Sequence, residues 1–503
     1  MNFRTIFLSF TLIISFLQGS FAAVPDTFLP WEGGPAYYAK WSNGPSSSPD
    51  FFPIGVWAQN PPDSSLAKYI AAGINVFVNI PPGPPAAADL AALSKTTMTT
   101  WCNQNAISLN PTMNSSVKGY HLASEPDNKT FVANPLFPTV KICTPIDTII
   151  NRYKRVKAAD PTRPVYLGFG QGAAEGSWYG RGPRTGHNED YPLYAAGADI
   201  LAFDIYPMNI IPASSDNATT KAYKLKCAQM PWRVADGVDS VRKYVDYKKP
   251  VICNIECTNY NSNAACLLTP EIVKAEVWMA LVHGARGIEY FVHILTPFNA
   301  RGLLVDSAMT ASVTANNALI KSLAPVLNTQ SVGNGFTKTL SNTAVPVDAM
   351  LKRLDGYTYL FAVGMRSGAT TATFTLRDFI GDRSIEVIGE NRTIQSVNGV
   401  FTDDFVGYGV HLYKVSTLPT AIENVMSENK KLKINKTAIA GEFAFESDEN
   451  IEKIEVYSMS GKCIFTRNIN SAKGVIQLNN AVDKLLLIKA ILKNKVALRK
   501  IVR

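Results

Sequence analysis

At 503 residues and 54.8 kDa the chain is too long for one compact core, and its length suits two to four domains. Hydrophobic residues make up 46%, charged residues 18%, and the mean hydropathy is +0.01, which excludes a disordered or collagen-like chain. Of the formal charge of +9, a surplus of 15 Lys and Arg over 7 Asp and Glu falls in residues 430–503, so the rest of the chain has almost no field to gather phosphates and no nucleic-acid partner is expected.

The chain opens like an export signal: Arg4 in a basic start, an apolar run from Ile6 to Leu17, and the small-x-small site Ser20-Phe21-Ala22, predicting cleavage after Ala22. That run is shorter than the roughly 20 residues a bilayer span needs, and no later run reaches that length. A secreted or cell-surface protein without a transmembrane anchor is expected. Six cysteines, Cys102, Cys143, Cys227, Cys253, Cys257 and Cys266, precede a seventh, Cys463, in the basic tail. Of the possible pairings, Cys257 with Cys266 is favoured. No C-x-x-C or H-E-x-x-H spacing is present and the five histidines are scattered, so no metal is expected.

Between about residues 51 and 327, short β-rich runs alternate with helix-like segments, the pattern of parallel βα units. Strands are predicted at Phe52 to Trp57, Asn75 to Ile80, Ala106 to Leu109, Lys118 to Ser124, Val165 to Phe169, Ile200 to Tyr206, Val251 to Glu256 and Gly287 to His293. Helices are predicted at Ser64 to Ala72, Ala86 to Gln104, Ile146 to Ala159, Val234 to Tyr247, Pro270 to His283 and Ala308 to Leu323. Eight such units fit a (β/α)8 TIM barrel over residues 23–327. Short alternating runs, including Tyr357 to Val363, Thr371 to Leu376, Ser384 to Ile388 and Gly409 to Val415, predict a small antiparallel β-sandwich over 328–416. A polar linker, 417–429, leads to a last β-rich block, 430–503, with a turn at Ser460 to Lys462.

Active sites of barrels lie at the C-terminal ends of the strands, so strand-end carboxylates are the place to search. Strand four ends in Ser124-Glu125-Pro126-Asp127, where the proline stops the strand, and strand seven ends in Ile255-Glu256-Cys257. Glycoside hydrolysis needs a protonated acid for the leaving oxygen and a charged partner for the anomeric carbon. Glu125 and Glu256 fit that need; solvated strand-end acids or salt-bridge partners are the alternative reading. Trp57, His121, Asp204, Tyr206, Tyr290 and His293 are candidates for a sugar platform, or else for barrel packing. The Gly-rich loop from Gly170 to Pro192, with Trp178, Tyr179, Arg181, Arg184 and His187, is the candidate specificity loop. Gly168-Phe169-Gly170-Gln171-Gly172 fails the dinucleotide spacing, and neither a P-loop nor a G-x-S-x-G elbow is present, so no cofactor is expected.

The Glu-Pro after strand four, the lone Glu closing strand seven and the stretch from Trp278 to Phe291 resemble the retaining glycoside hydrolases of clan A, over about residues 48–416. The resemblance implies a secreted hydrolase of O-glycosidic bonds acting by double displacement on a plant or algal polysaccharide or its oligosaccharides. Glu125 would then be the acid/base and Glu256 the nucleophile, about 5–5.5 Å apart. Many clan members have Asn before the acid/base to bind the sugar 2-hydroxyl. Ser124 stands there in this chain and can make that hydrogen bond. This departure motivates one alternative, a catalytically silent carbohydrate-binding barrel; a transglycosylase is another. The last block, with Ile454 to Lys462 and Leu498 to Arg503, resembles the C-terminal sorting domain of the Bacteroidetes type IX secretion route, which implies that secretion machinery as a partner.

Overall fold

The computed structural model describes residues 25–31, 33–131, 141–377, 379, 381–417, 432–439, 441–458, 463–478, 485–493 and 495–502. The expected export signal, the linker beyond residue 417 and the turn at 460–462 lie outside the described residues. Among those residues, no helix is long and apolar enough to cross a membrane.

Eight parallel strands close into a barrel: β1 (Ile54–Trp57), β2 (Val76–Val78), β3 (Thr99–Cys102), β4 (Val117–Ser124), β5 (Val165–Phe169), β6 (Ile200–Asp204), β7 (Val251–Glu256) and β8 (Ile288–Phe291). Each pairs with its neighbours in chain order, and β1 closes on β8 with Ile54 opposite Ile288. The third strand departs from expectation. Residues 106–109 form a one-turn helix started by Asn105, whose side chain accepts from Ser108 N while Asn105 N donates to Ser108 Oγ. The helix expected over 86–104 stops at Leu93, and the β-branched and aromatic Thr99-Thr100-Trp101-Cys102 behind it becomes β3. The short helix Asp190–Ala195 and the helix Ala218–Cys227 were not expected; the latter buries only Tyr223 and Cys227, too thin a stripe to read from periodicity.

Alternation along the strands divides the barrel. Val76, Val78, Trp101, Tyr166, Ile200, Ala202 and Ile252 pack inside with Tyr37 and Tyr38, while Phe77, Cys102, Leu167, Leu201, Phe203, Cys253 and Ile255 pack outward beneath the helices. The Tyr37 hydroxyl donates to Asp199 O (2.9 Å) just before β6, so the Tyr37–Tyr38 pair stoppers the end opposite the mouth.

A sandwich follows, with sheets of three strands (Phe336–Leu340, Ala369–Leu376, Val400–Val406) and five (Val347–Leu354, Tyr357–Gly364, Val410–Ser416, Arg383–Val387, Arg392–Ser396). From Ala275 to Val282 every residue of the helix Pro270–Val282 is buried, because the barrel covers one side and the sandwich the other; its Trp278 ring meets Phe361 edge-on at 5.5 Å. Strands Lys433–Lys436, Glu442–Ser458, Cys463–Gln477, Leu485–Leu492 and Lys495–Val502 form a separate antiparallel sheet with its own core, including Phe443, Ile454, Val456 and Ile488.

The seven cysteines are unpaired, contrary to the favoured 257–266 bridge. Cys257 is buried and its thiol donates to Phe291 O (3.2 Å), whereas Cys266 lies beside Asn209.

Gly237, inside the helix Arg233–Tyr244, lets that helix rest on Phe203 of β6: a Cβ there would stand 2.2 Å from Phe203 Cε2. Alanine is the better helix former, so intrinsic propensity favours Gly237→Ala. Overpacking should nevertheless win, with a net loss of about 1–3 kcal/mol, measurable as a lower Tm than wild type.

Candidate active site

Glu125 follows β4 directly. Its N–H donates to Gly168 O of β5 (2.8 Å), extending the sheet by one residue, and its φ of 47° then turns the chain out of the barrel. Pro126 ends the pairing, and Asp127 fastens the turn. Fully buried, Asp127 accepts from Gly170 N (2.9 Å) through Oδ1 and from the Tyr191 hydroxyl (3.1 Å) through Oδ2. Burial pushes its carboxyl up to about 6. Each member of the Glu-Pro-Asp run thus has a separate task, and Glu125 is the one left facing the mouth.

The cleft at that mouth has a volume of about 160 Å³ and is lined by Glu125, Asp204, Asn254, Tyr206, Trp57 and Phe291, among others. Asp204, the last residue of β6, is hydrogen-bonded to Glu125 through the side chains. Burial first, and then the Glu125 charge, raise the Asp204 carboxyl well above the ordinary carboxylate range. Two carboxyls in direct contact must share a proton, and burial keeps it on Asp204. Among the described residues, neither Asp204 Oδ1 nor Asn254 Oδ1 has a hydrogen-bond donor. The hydroxyl of Tyr166, also in the cleft wall, donates to Glu289 Oε2 across the barrel interior (2.6 Å), and burial pushes Glu289 up to about 8.

Glu256 is not in this cleft. It is fully buried at the end of β7, where Oε1 accepts from Met208 N (2.7 Å) and Oε2 from Asn209 N (3.1 Å) and Asn209 Nδ2 (2.6 Å). Its remaining side-chain partner is Glu276, also fully buried on the helix Pro270–Val282. The pair forms a second carboxyl couple, closed to solvent; burial pushes Glu256 up to about 7 and Glu276 well above its ordinary range. The three N–H donors of the turn hold the carboxylate, and it is not among the residues that line the cleft.

The other expected residues divide similarly. Ser124 lines the cleft, and the buried His121 beneath it has Nε2 3.0 Å from Ser124 Oγ and Nδ1 3.4 Å from Asn103 Nδ2. Burial lowers His121 to about 4, so it is neutral: Nδ1 accepts from the amide and Nε2–H donates to Ser124. Trp57 meets His121 edge-on at 5.4 Å, and Tyr206 lies against Phe291 at 5.1 Å. Tyr290 is a correction: on β8 it points outward, fully buried, its hydroxyl donating to Asn317 Oδ1 (2.9 Å), and Phe291 takes its place in the cleft. His293 does not line the cleft; Gln59 holds it at 3.1 Å, beside Phe291 and Phe298. Trp178 lines a neighbouring cleft. Asn254, Glu289 and Tyr166 were missed, although counting in twos along β7 from Ile252 would have pointed Asn254 inward. Among the described residues no group of three or more His, Cys, Asp and Glu could hold a metal ion.

No protein-family model and no curated protein matches the chain. Solved structures similar to it include an α-amylase from Anoxybacillus (TM-score 0.44, 9% identity, 74% of this chain and 99% of that one). Others are the α-amylase of Geobacillus thermoleovorans complexed with acarbose (0.44, 11%, 73% and 98%) and a GH30 endoxylanase from Clostridium papyrosolvens (0.35, 11%, 73% and 96%). Likeness at this level is one of chain path, and the functional reading rests on the side chains at the mouth.

Two outcomes follow from the buried acids. An unfolded Glu ionises near pH 4.3, whereas Glu289 keeps its proton to about pH 8 in the folded chain. The folded state therefore binds more protons between those values, and Tm should fall as pH rises through that window, less steeply in Glu289→Gln. Glu256→Ala should lower stability by about 1–3 kcal/mol for each buried donor left without an acceptor, as read by denaturant unfolding.

Proposed function

We propose that the chain is a secreted glycoside hydrolase whose working carboxyls are Glu125 and Asp204. The observation that carries this reading is the pair itself: two acids in contact at a barrel mouth, one of them buried so that its carboxyl is raised well above the ordinary range, beneath aromatic walls. A protonated acid and a charged partner are the two forms that cleavage of a glycosidic bond requires, separated by environment rather than by residue type.

Asp204 is the proton donor to the leaving oxygen, and Glu125 is the carboxylate that faces the anomeric carbon. Sugar entry has to part the two side chains, which breaks their hydrogen bond and frees the proton for transfer. Direct contact in the free enzyme is nearer the short carboxyl separation of retaining enzymes than the 6.5–9.5 Å of inverting ones, which supports double displacement through a glycosyl-enzyme. Trp57, Tyr206 and Phe291 offer ring faces to the C–H faces of the sugar, and Ser124, held by neutral His121, offers a hydroxyl to it. Export is supported by the leader-like residues 1–22. The separate C-terminal sheet serves as the sorting address that its resemblance implies, with the type IX machinery as partner.

A screen of aryl glycosides and polysaccharides tests the assignment. Glu125→Ala and Asp204→Ala should each lose at least about a hundredfold in kcat/KM, the size of a general acid–base contribution. Azide should then rescue Glu125→Ala with a glycosyl azide of inverted configuration and Asp204→Ala with a retained one. Exchanged configurations would swap the two roles; full activity in either variant, or loss only in Glu256→Gln with its fold intact, would dismiss the pair.

A further inference from the structure

Beside the candidate active site lies a second cleft of about 350 Å³, within the range of small-molecule sites. Its walls include Trp178 and Tyr179 from the loop after β5, Tyr223 from the helix Ala218–Cys227, and Tyr260, Asn261 and Asn263 from the loop after β7. Trp178 and Tyr179 are half-buried, with ring centroids 4.4 Å apart, and Trp178 lies 4.8 Å from Tyr223. Trp178 Nε1 donates to Asn128 Oδ1 (2.7 Å), three residues after Glu125, which ties the aromatic wall to the turn that carries the catalytic carboxyl. Tyr260 joins the two clefts: its ring meets both Tyr206 (6.1 Å) and Phe291 (6.0 Å), which line the first.

The second cleft is rich in rings and amides, and the one cation among the described residues that line it, Lys224, is engaged by Ile211 O (2.8 Å) and Asp216 Oδ1 (2.9 Å). A carboxylated or sulfated ligand would enter without a counter-ion and lose its hydration, which is costly. Ring faces suit the C–H faces of a sugar, and amides such as Asn261 can donate to and accept from its hydroxyls.

We propose that this cleft is a subsite for the neutral sugar units of a glycan chain whose scissile bond lies over Glu125 and Asp204, with Trp178 and Tyr179 as its binding platform. The inference rests on the glycosidase reading for the placement of the scissile bond, but the binding it describes does not require hydrolysis. It makes the substrate an uncharged oligosaccharide or polysaccharide rather than a single sugar or a polyuronate.

Affinity electrophoresis of the full chain, in gels containing xylan, mixed-linkage β-glucan, mannan, starch or polygalacturonate, tests it. Each gel is run for wild type, Glu125→Gln, Trp178→Ala, Tyr179→Ala and Trp178→Phe, with circular dichroism to confirm folding. At least one neutral polymer should retard wild type and Glu125→Gln alike. The two alanine variants should bind it about tenfold more weakly, Trp178→Phe should keep most of the affinity, and polygalacturonate should have no effect. The same alanine variants should raise KM on the polymer by more than they lower kcat on it. Undiminished retardation of both folded alanine variants, selective binding of polygalacturonate, or no retardation by any neutral polymer would overturn the subsite. Retardation that depends on Trp178 in a protein that cleaves nothing would leave the subsite standing and remove the glycosidase reading; cleavage with no Trp178 effect would do the reverse.

Discussion

The strict alternation of side chains along a closed parallel barrel governs the rest of this structure. Every second residue of each strand is committed to an interior sealed at one end by Tyr37 and Tyr38, so a polar residue at such a position has no water to turn to except at the mouth. Asp204, Asn254 and Glu289 are cross-strand neighbours in register, Asp204 opposite Asn254 and Asn254 opposite Glu289, and they form one polar layer near that mouth. Burying acids there raises their proton affinity.

Two carboxyl couples result. Glu125 and Asp204 meet at the lining of the cleft. Glu256 and Glu276 meet where both are fully buried, with three N–H groups of the turn after β6 gathered on Glu256. The closed couple fixes Met208 and Asn209, and Asn209 lines the second cleft and also accepts from Tyr260 N (3.1 Å). Glu256 thereby shapes the wall between the two clefts.

Much of the barrel was legible because strands such as Val165–Phe169 and Ile200–Asp204 are continuous apolar runs bounded by breakers, as strands buried on both faces must be. β3 was not, because Thr99–Cys102 follows a genuine helix without a Gly or Pro between them and its pattern merges with that helix. At the site, Glu125 was legible from the proline behind it, which marks the end of a strand. The displacement of Glu256 was not, since a sequence shows that an acid closes a strand but not that three donors of another turn will claim it. Tyr290 is an aromatic beside the mouth, but its parity with Ile288 sends it outward and Phe291 inward.

The account stands on the shared proton between Glu125 and Asp204, and carbon-13 NMR titration of side-chain carboxyls reads it directly, with the Asp204 signal assigned through Asp204→Asn. Asp204 should stay protonated well above the pH at which an ordinary Asp ionises. In Glu125→Gln it should titrate lower, though still above the ordinary value because burial remains. An Asp204 that ionises in the ordinary range and does not respond to Glu125→Gln would contradict the account.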